Sequence, residues 1–561
     1  VSHIRKGTGE KMKGPGPSIM ELKKISKHHT KQFMILFFGV FWLFAGSCAA
    51  PQQREIGEYI GPPKPAVLAP EMESPEGIAK IAETQKTVIT KGPLEITTGD
   101  AILMALENNR ALRIEKLSPE IYRAGEEKER ALFDPVLTGT YSRFRNKTDT
   151  DLPAIGDSLE KEVDTGLGLS GRIPTGTDVA LGISTEETWS DVSPDDLYES
   201  RLGLSVTQAL LRGGGIKYNL ARLRQARLDT RASQYELRGF AETLVAQVEE
   251  TYWDYALTGR QIEIFQESLK LAEKQRSETE EMITIGSLAE SEITAAEAEI
   301  ALRREGLINA RSTLEKTRLQ LLRLLNPPGE NLWCRTLVIL DQPVAPDVIL
   351  DDVEDHVGVA MRMRPDLNQA RLQVLRGDLE IVTTKNGVLP KLDFFINLGK
   401  TGYASSFNSA INDINGDSYD ILAGINLAYP FLNRDAKASY RQSLISRKQA
   451  DESVENMAQL VQVDVRSAYI EVNRTREQIA ATTATRALQE EKTRIEMEKF
   501  RVGKSTTLLV AQAQRDLLAS RIAETEVTAN YLKSLVELYR LEGSLLERRG
   551  IEAPGHETVS F

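Results

Sequence analysis

The fold is decided by the stretch Leu202-Gly203-Leu204-Ser205-Val206-Thr207-Gln208-Ala209-Leu210-Leu211-Arg212-Gly213-Gly214-Gly215, where an alternating apolar segment ends in a run of glycines. A related stretch stands 221 positions later: Ala423-Gly424-Ile425-Asn426-Leu427-Ala428-Tyr429-Pro430-Phe431-Leu432. In both, apolar side chains occupy every second position, which is the period of a β-strand with one apolar face. Both then lead into long stretches without proline, so each predicts a junction between a strand and a helix.

The two stretches belong to a repeat of about two hundred residues. Ahead of them, four residues recur 255 positions later: Ala105, Leu112, Pro135 and Leu137 return as Ala360, Leu367, Pro390 and Leu392. C-terminal to the two stretches the offset is 217. The residues matched there are, in order, Val248, Tyr252, Gln261, Ile262, Gly286, Leu321 and Leu324 in the first copy and Val465, Tyr469, Gln478, Ile479, Gly503, Leu538 and Leu541 in the second. Two unrelated helical segments would share neither the glycine nor a constant offset, so the chain is internally duplicated.

The first copy is the longer one. The offset falls from 255 to 221 between the proline and the strand glycine, which leaves 34 more residues in the first copy. They contain two alternating segments, 163–169 and 179–183, on either side of Pro174-Thr175-Gly176. This is a further hairpin signal. The sequence leaves open whether residues 148–198 lengthen an outer loop or add strands.

Long helices fill the rest of each copy. No proline interrupts residues 195–326 or 431–553, and proline costs about 3 kcal/mol inside a helix. Apolar residues recur every seven positions at Val248, Tyr255, Ile262 and Leu269, which is the seam of a coiled coil. A helix from Ile216 to Ile283 would run on the order of 100 Å. Periodicity alone also allows an exposed stalk.

The N-terminus predicts export. Residues 1–47 carry a basic region and then an apolar run of about 15 residues, which is shorter than the roughly 20 of a spanning helix, so they are interpreted as a signal peptide. The run ends at Ala45-Gly46-Ser47-Cys48, which resembles a bacterial lipobox and makes Cys48 the predicted lipidation site. Ordinary cleavage nearby is the alternative. Beyond residue 47 the chain has 62 basic and 79 acidic residues, a net charge of −17, which argues against a nucleic-acid partner.

The composition indicates no catalytic or metal chemistry. The two cysteines, Cys48 and Cys334, form no CxxC pair, and beyond residue 47 only His356 and His556 remain as histidines. No set of nucleophile, base and orienting residue can be assembled from them. The sequence therefore predicts a protein that is not an enzyme and has no cofactor and no metal site.

Short amphipathic strands suit a wall with lipid on one side and water on the other. The second copy alternates over 392–398 and 421–429, and the first over 137–141 and 202–206. Four such strands per chain cannot close a barrel, and an open edge in a bilayer costs several kcal/mol per unpaired backbone group. Eight strands from two chains would fill with side chains, so a water-filled pore favours three chains and twelve strands. The predicted fold is an α+β membrane protein, with a β-barrel shared by a trimer and a long antiparallel α-helical coiled-coil tunnel.

These features resemble the TolC outer-membrane efflux family. The resemblance rests on the repeat, the junction at 208–215, its partner at 429–432 and Phe500-Arg501-Val502-Gly503 at a helix reversal, and it covers roughly residues 96–545. It implies a homotrimer in the outer membrane of a Gram-negative bacterium that extends into the periplasm. Its function would be that of a passive duct in a tripartite efflux or type I secretion system. Its partners would be a periplasmic adaptor and an inner-membrane transporter.

The resemblance places the periplasmic tips at the two helix reversals. Gly286 and Ser287 in the first copy, and Gly503 and Lys504 in the second, are the predicted adaptor contacts. Glu292 is the candidate for lining the channel entrance, with a solvated helix face as its alternative.

The repeat divides the chain into six predicted parts: signal peptide 1–47, lipidated linker 48–95, first repeat 96–328, inter-repeat linker 329–350, second repeat 351–545 and C-terminal tail 546–561. The competing class of protein is a lipid-anchored periplasmic coiled-coil scaffold or adaptor without a pore. A scaffold would not need amphipathic strands that match between the two copies.

Overall fold

The computed structural model describes residues 93–148, 158–190, 193–329, 332–346 and 349–559. The predicted signal peptide, the predicted lipidation site Cys48 and the linker up to residue 92 lie outside the described residues.

Within these residues the first copy supplies five strands and six helices, in the order β1 (Leu94–Ile96), α1 (Thr98–Asn108), α2 (Arg110–Glu115), α3 (Ser118–Arg130), β2 (Val136–Thr148), β3 (Ser158–Ile173), β4 (Thr177–Ser190), β5 (Ser193–Ala209), α4 (Ile216–Asn219), α5 (Ala221–Thr284) and α6 (Glu292–Leu325). The chain continues through β6 (Leu337–Ile339), α7 (Val353–Met363), α8 (Pro365–Gly387), β7 (Lys391–Ala404), α9 (Phe407–Asp413), β8 (Tyr419–Ala428), α10 (Arg434–Arg501), α11 (Thr507–Glu542) and α12 (Leu545–Arg548). Short 3-10 helices lie at Ala131–Phe133 and Leu332–Cys334.

The main sheet has six antiparallel strands in the order β2-β3-β4-β5-β7-β8. The prediction of four strands per chain was therefore wrong. The hairpin signal that the sequence left open adds β3 and β4 to the sheet between β2 and β5. Every strand in the sheet runs opposite to its neighbours.

The register places apolar side chains of all six strands on one face. Leu181 pairs with Leu169 on one side and with Leu204 on the other. The same row runs from β2 to β8 through Leu137, Leu169, Leu181, Leu204, Leu398 and Ile421. Because the side-chain period of a strand is two, a slip of one residue would move these side chains to the polar face. The alternation read from the sequence therefore fixes the register.

Two long helical hairpins extend from the sheet. The helices α5 and α10 have 64 and 68 residues, which corresponds to about 100 Å each at the rise of an α-helix. Each reverses and returns as a shorter helix, α6 after α5 and α11 after α10, and each pair packs along its length. The two hairpins also pack on each other through α11 and α5.

Residues matched by the repeat occupy equivalent places in the cores. Ala105 and Ala360, Leu112 and Leu367, Val248 and Val465, and Leu321 and Leu538 are all at most 1% exposed. The first core lies where α1, α5 and α6 meet a two-stranded parallel sheet of β1 and β6, and the second where α7, α10 and α11 meet. The duplication therefore extends to the packing. Among the described residues, no helix combines the length and the apolar character that crossing a membrane requires.

Candidate functional site

The two helix reversals have the same backbone geometry. Gly286 and Gly503 have φ angles of 77° and 72°. At each, the glycine N–H donates to the carbonyl three residues back and the next N–H to the carbonyl five back: Gly286 to Ile283 at 2.9 Å, Ser287 to Met282 at 2.8 Å, Gly503 to Phe500 at 2.9 Å and Lys504 to Lys499 at 2.8 Å. This pair of bonds is the Schellman motif. All four predicted tip residues are exposed, and a Cβ on either glycine would meet nothing within 4 Å.

The returning helices start differently at the two tips. Before α11, the Leu509 N–H donates to Thr506 Oγ1 at 3.4 Å, whereas Ser291 forms no side-chain cap before α6. Glu292 is the first residue of α6 and is half-buried. A carboxylate at that position is favoured by the helix macrodipole. Glu292 therefore has a role at the helix start that does not require a pore.

Ion pairs cross between the two hairpins along their length: Arg501 with Glu278 at 3.6 Å near the tips, Arg521 with Glu267 at 3.1 Å, and Lys533 with Asp254 at 2.8 Å near the core. Exposed pairs of this kind contribute about 0–1 kcal/mol each.

The polar face of the six-stranded sheet carries an ion pair across strand β7. Arg201 on β5 and Asp420 on β8 approach to 2.7 Å. Gly399 lies beneath them, since a Cβ there would stand 2.3 Å from Asp420 Oδ1 and 2.6 Å from Arg201 Nη2. On the same face, Ser205 Oγ donates to Asn397 Oδ1 at 2.6 Å. A Cβ at position 399 would force these two side chains to shift, so the present geometry of the pair depends on the glycine.

The same face is acidic on β3 and β4. Carboxylate oxygens of Glu162, Asp164 and Glu186 all lie within 4.8 Å of one another. Exposed clusters of this kind are common without a bound ion, and we assign no metal to it. Its consequence is a negative potential on the polar side of these two strands.

A buried charge cluster joins α5 to the end of α11. Arg238 is fully buried, and its guanidinium donates to Glu242 Oε1 at 3.1 Å, to the Gly543 carbonyl at 3.0 Å and to Glu547. Burial raises the pKa of Glu242 to about 8, although Arg238 acts in the opposite direction. One arginine thus faces two carboxylates, of which the less accessible one retains its proton most readily.

The second copy has a different buried pair. His356 Nδ1 lies 3.2 Å from Glu542 Oε2, and both side chains are buried. Arg548 approaches the other Glu542 oxygen at 3.4 Å. In the first copy the corresponding residues are Ala101 and Leu325, both fully buried and apolar. The duplication has therefore kept the packing here and changed the chemistry.

The described residues thus join an antiparallel sheet with one apolar face to two duplicated helical hairpins, whose longer helices run about 100 Å. The sequence matches the outer membrane efflux protein family over residues 101–327 and 357–544. The chain belongs to this family, as its resemblance to the TolC family predicted. Proteins of this family are channels and not enzymes, and the predicted localisation in the Gram-negative outer membrane, with extension into the periplasm, is confirmed.

Solved structures show the same fold. The chain is similar to the CmeC outer membrane channel of Campylobacter jejuni at 16% identity and a TM-score of 0.61, over 80% of this chain and 86% of that chain. For the open state of the MtrE outer membrane channel of Neisseria gonorrhoeae the values are 17% identity and 0.58, over 80% and 89%. For the outer membrane protein VceC of Vibrio cholerae they are 13% identity and 0.59, over 80% and 96%. No curated protein sequence matches the chain.

The structure thus places the predicted tip residues at two equivalent turns and Glu292 at the start of the helix that follows one of them. Sequence reasoning missed the Arg201–Asp420 pair and the Arg238 cluster. Glycines inside alternating strands, such as Gly399, are a signal for the first, because they mark a close approach. The second gives no such signal, since an arginine four residues before a glutamate is usual on a solvated helix face.

Proposed function

We propose that this chain assembles as a homotrimer whose three sheets close one barrel in the outer membrane. It acts as the passive duct of a tripartite efflux or type I secretion system. Substrates reach it from an inner-membrane transporter through a periplasmic adaptor, so the chain itself carries out no energy-consuming step.

The observation that carries the proposal is the six-stranded sheet with one apolar face. Its end strands β2 and β8 each pair with one neighbour within the described residues. Apolar side chains such as Leu137, Tyr141, Ile421 and Ile425 are 60–75% exposed on that face. A face of this kind suits lipid, and in lipid both edges must find partners. Strand β8 of one chain would run antiparallel to β2 of the neighbouring chain, so identical chains can close the barrel.

The helical part supports the same reading. Helices of about 100 Å, as α5 and α10 are, exceed the diameter of a small domain about threefold. The two hairpins pack on each other through α11 and α5 and carry the two reversals at one end. In a trimer, six such hairpins would continue the barrel as a tube across the periplasm.

The individual sites follow from this arrangement as proposals. Gly286, Ser287, Gly503 and Lys504 form the tips that contact the adaptor, because they are exposed at the helix reversals. Glu292 lines the entrance. Lipidation of Cys48 would anchor the N-terminal linker to the membrane, and mass spectrometry of the intact protein beside a Cys48→Ser variant tests it.

The function is tested by the mass of the purified, detergent-solubilised protein and by its conductance in planar lipid bilayers. We expect three chains per particle and discrete channel openings. A monomeric product that stays soluble without detergent and does not conduct would instead identify the scaffold class.

A further inference from the structure

The 34 residues that distinguish the first copy form a complete hairpin of the main sheet. Strands β3 and β4 have 16 and 14 residues, against 14 and 10 for β7 and β8 of the second copy. A strand that crosses a membrane needs about 9–11 residues. Both added strands are therefore long enough to cross.

Pairing continues along the full length of the added strands. Strand β2 pairs with β3 from Val136 opposite Ser170 to Thr148 opposite Ser158. Strand β3 pairs with β4, and β4 with β5, down to the turn at the base of the hairpin. An outer loop that only folded over the barrel would not fill the ladder between β2 and β5.

The turn of this hairpin lies at the helix end of the sheet. The Gly215 N–H donates to the Thr175 carbonyl, and the Ala209 N–H to the Gly176 carbonyl, both at 3.0 Å. A Cβ on Gly176 would stand 2.4 Å from the Gly213 carbonyl oxygen. The hairpin thus reaches from the far side of the sheet to the junction where the chain enters the helices.

The two faces of the hairpin also match those of the sheet. Leu167, Leu169, Leu181 and Ile183 lie in the apolar rows that continue through Leu202 and Leu204. The opposite face of β3 and β4 carries charged side chains: Glu160, Glu162, Asp164, Arg172, Asp178 and Glu186. A hairpin in water outside the membrane would have no reason to keep one face apolar in register with the wall.

We propose that β3 and β4 are part of the transmembrane wall, so that three chains form a barrel of eighteen strands. The inference rests on the trimer of the proposed function. Barrel diameter grows roughly linearly with strand number, so the bore is about 1.5-fold that of a twelve-stranded barrel. The outer-membrane segment then passes bulky solutes freely, and size selection falls to the helical part. Five of the six charged side chains on the polar face of the added strands are carboxylates.

The experiment compares the full chain with a deletion of residues 158–190, which leaves β2 and β5 as neighbours, as β7 and β8 are in the second copy. Particle imaging counts strands and chains. Polyethylene glycols of graded size, added only on the outer side of a planar bilayer, measure the bore of the barrel without probing the periplasmic tip. We expect eighteen strands in the full chain and an exclusion radius about 1.5-fold that of the deletion variant.

Each other outcome has a definite meaning. A trimer with twelve strands, or equal exclusion radii for the two proteins, overturns the widened barrel and leaves the channel function standing. A barrel of twelve strands from two chains, or a protein that forms no channel, overturns the proposed function instead.

A second measurement applies if the deletion variant does not assemble. In a Cys334→Ser background, Ser170→Cys should react with a membrane-impermeant maleimide and Leu169→Cys should not. The matched control pair on β7 is Asn397→Cys and Leu398→Cys, with the same expected contrast. Reaction at both Leu169→Cys and Ser170→Cys, with the control contrast intact, would place the hairpin in water and overturn the inference.

Discussion

The two copies of this chain agree at one end of the molecule and differ at the other. At the helix reversals, Gly286 and Gly503 have nearly equal φ angles and the same pattern of backbone bonds. At the sheet, the first copy supplies four strands and the second two. A helix reversal depends on a few local backbone groups, so duplication preserves it. A sheet accepts any strand that has the right alternation, so it can grow.

A second difference lies in the buried charges of the helices. Arg238 and Glu242 correspond by the repeat offset to Glu455 and Gln459. The first copy thus holds its charge cluster at positions where the second has no arginine. The apolar partners of the helices are shared between the copies, whereas the buried charged groups of these clusters belong to one copy each.

The largest effect is expected from breaking the first-copy cluster. Arg238→Met leaves the carboxylates of Glu242 and Glu547 without their shared partner, and loss of one member of a buried charge cluster costs about 3–5 kcal/mol. The matched change in the second copy is Glu455→Met, at an exposed position, where we expect at most about 0.5 kcal/mol. Urea unfolding of the detergent-solubilised protein measures both. Equal losses would refute the asymmetry between the copies.

The same cluster predicts a dependence on pH. Because burial raises the pKa of Glu242 from 4.5 to about 8, the folded state binds this proton more tightly than the unfolded state. Its contribution is fully present below pH 4.5 and is lost as the pH rises through about 8. We expect the free energy of unfolding of the wild type to fall over this range relative to Glu242→Gln, by a few kcal/mol. Parallel pH profiles for the two proteins would contradict this.

Replacing the buried side chains of His356 and Glu542 by those of the first copy should preserve stability only when both are replaced together. Glu542→Leu alone removes the partner of buried His356 and should cost about 1–3 kcal/mol. The double variant His356→Ala with Glu542→Leu reproduces the residue types of Ala101 and Leu325, and we expect it to recover most of that loss. A double-mutant cycle on the unfolding midpoint measures the coupling, and strictly additive losses would show that the two side chains act independently.

Replacing the glycine at either tip should lower the stability of the protein by a similar amount. Gly286→Val and Gly503→Val each force a β-branched residue into the left-handed region, at about 1–2 kcal/mol. No atom lies within 4 Å of either added Cβ, so the cost is backbone strain in both cases. Thermal unfolding tests the equality. A much larger loss at one tip would reveal a tertiary contact made only in the assembled channel.

The smallest effect is expected at Glu292, whose counterpart by the repeat offset is Leu509. If Glu292 lines the entrance, Glu292→Lys should lower the preference for cations, read as a shift of reversal potential under a salt gradient. Glu290→Lys, two residues earlier and exposed, is the control. Equal shifts for the two variants would return Glu292 to a solvated helix face.

Much of the fold could be predicted from the sequence, because alternation and proline-free stretches are local signals. The strand segments around Leu204 and Leu398 and the reversals at Gly286 and Gly503 are examples. The strand count was not predictable, since period two does not tell whether a hairpin lies in a sheet or above it. That depends on the contact between Thr175 and Gly215, which only the folded chain brings together. Arg238 could not be found either, because its burial depends on the distant Gly543.

The turn at Gly176 lies at the helix end of the sheet, so the segment added to the sheet is a complete hairpin of two strands. If the sheet crosses the membrane, strands can be added only in pairs. One extra strand would place the start of α5 on the opposite side of the membrane. In the proposed trimer, one added hairpin per chain adds six strands to the barrel. In the proposed trimer the width of the barrel would therefore change only in steps of six strands, and point substitutions in the strands would alter its charge but not its width.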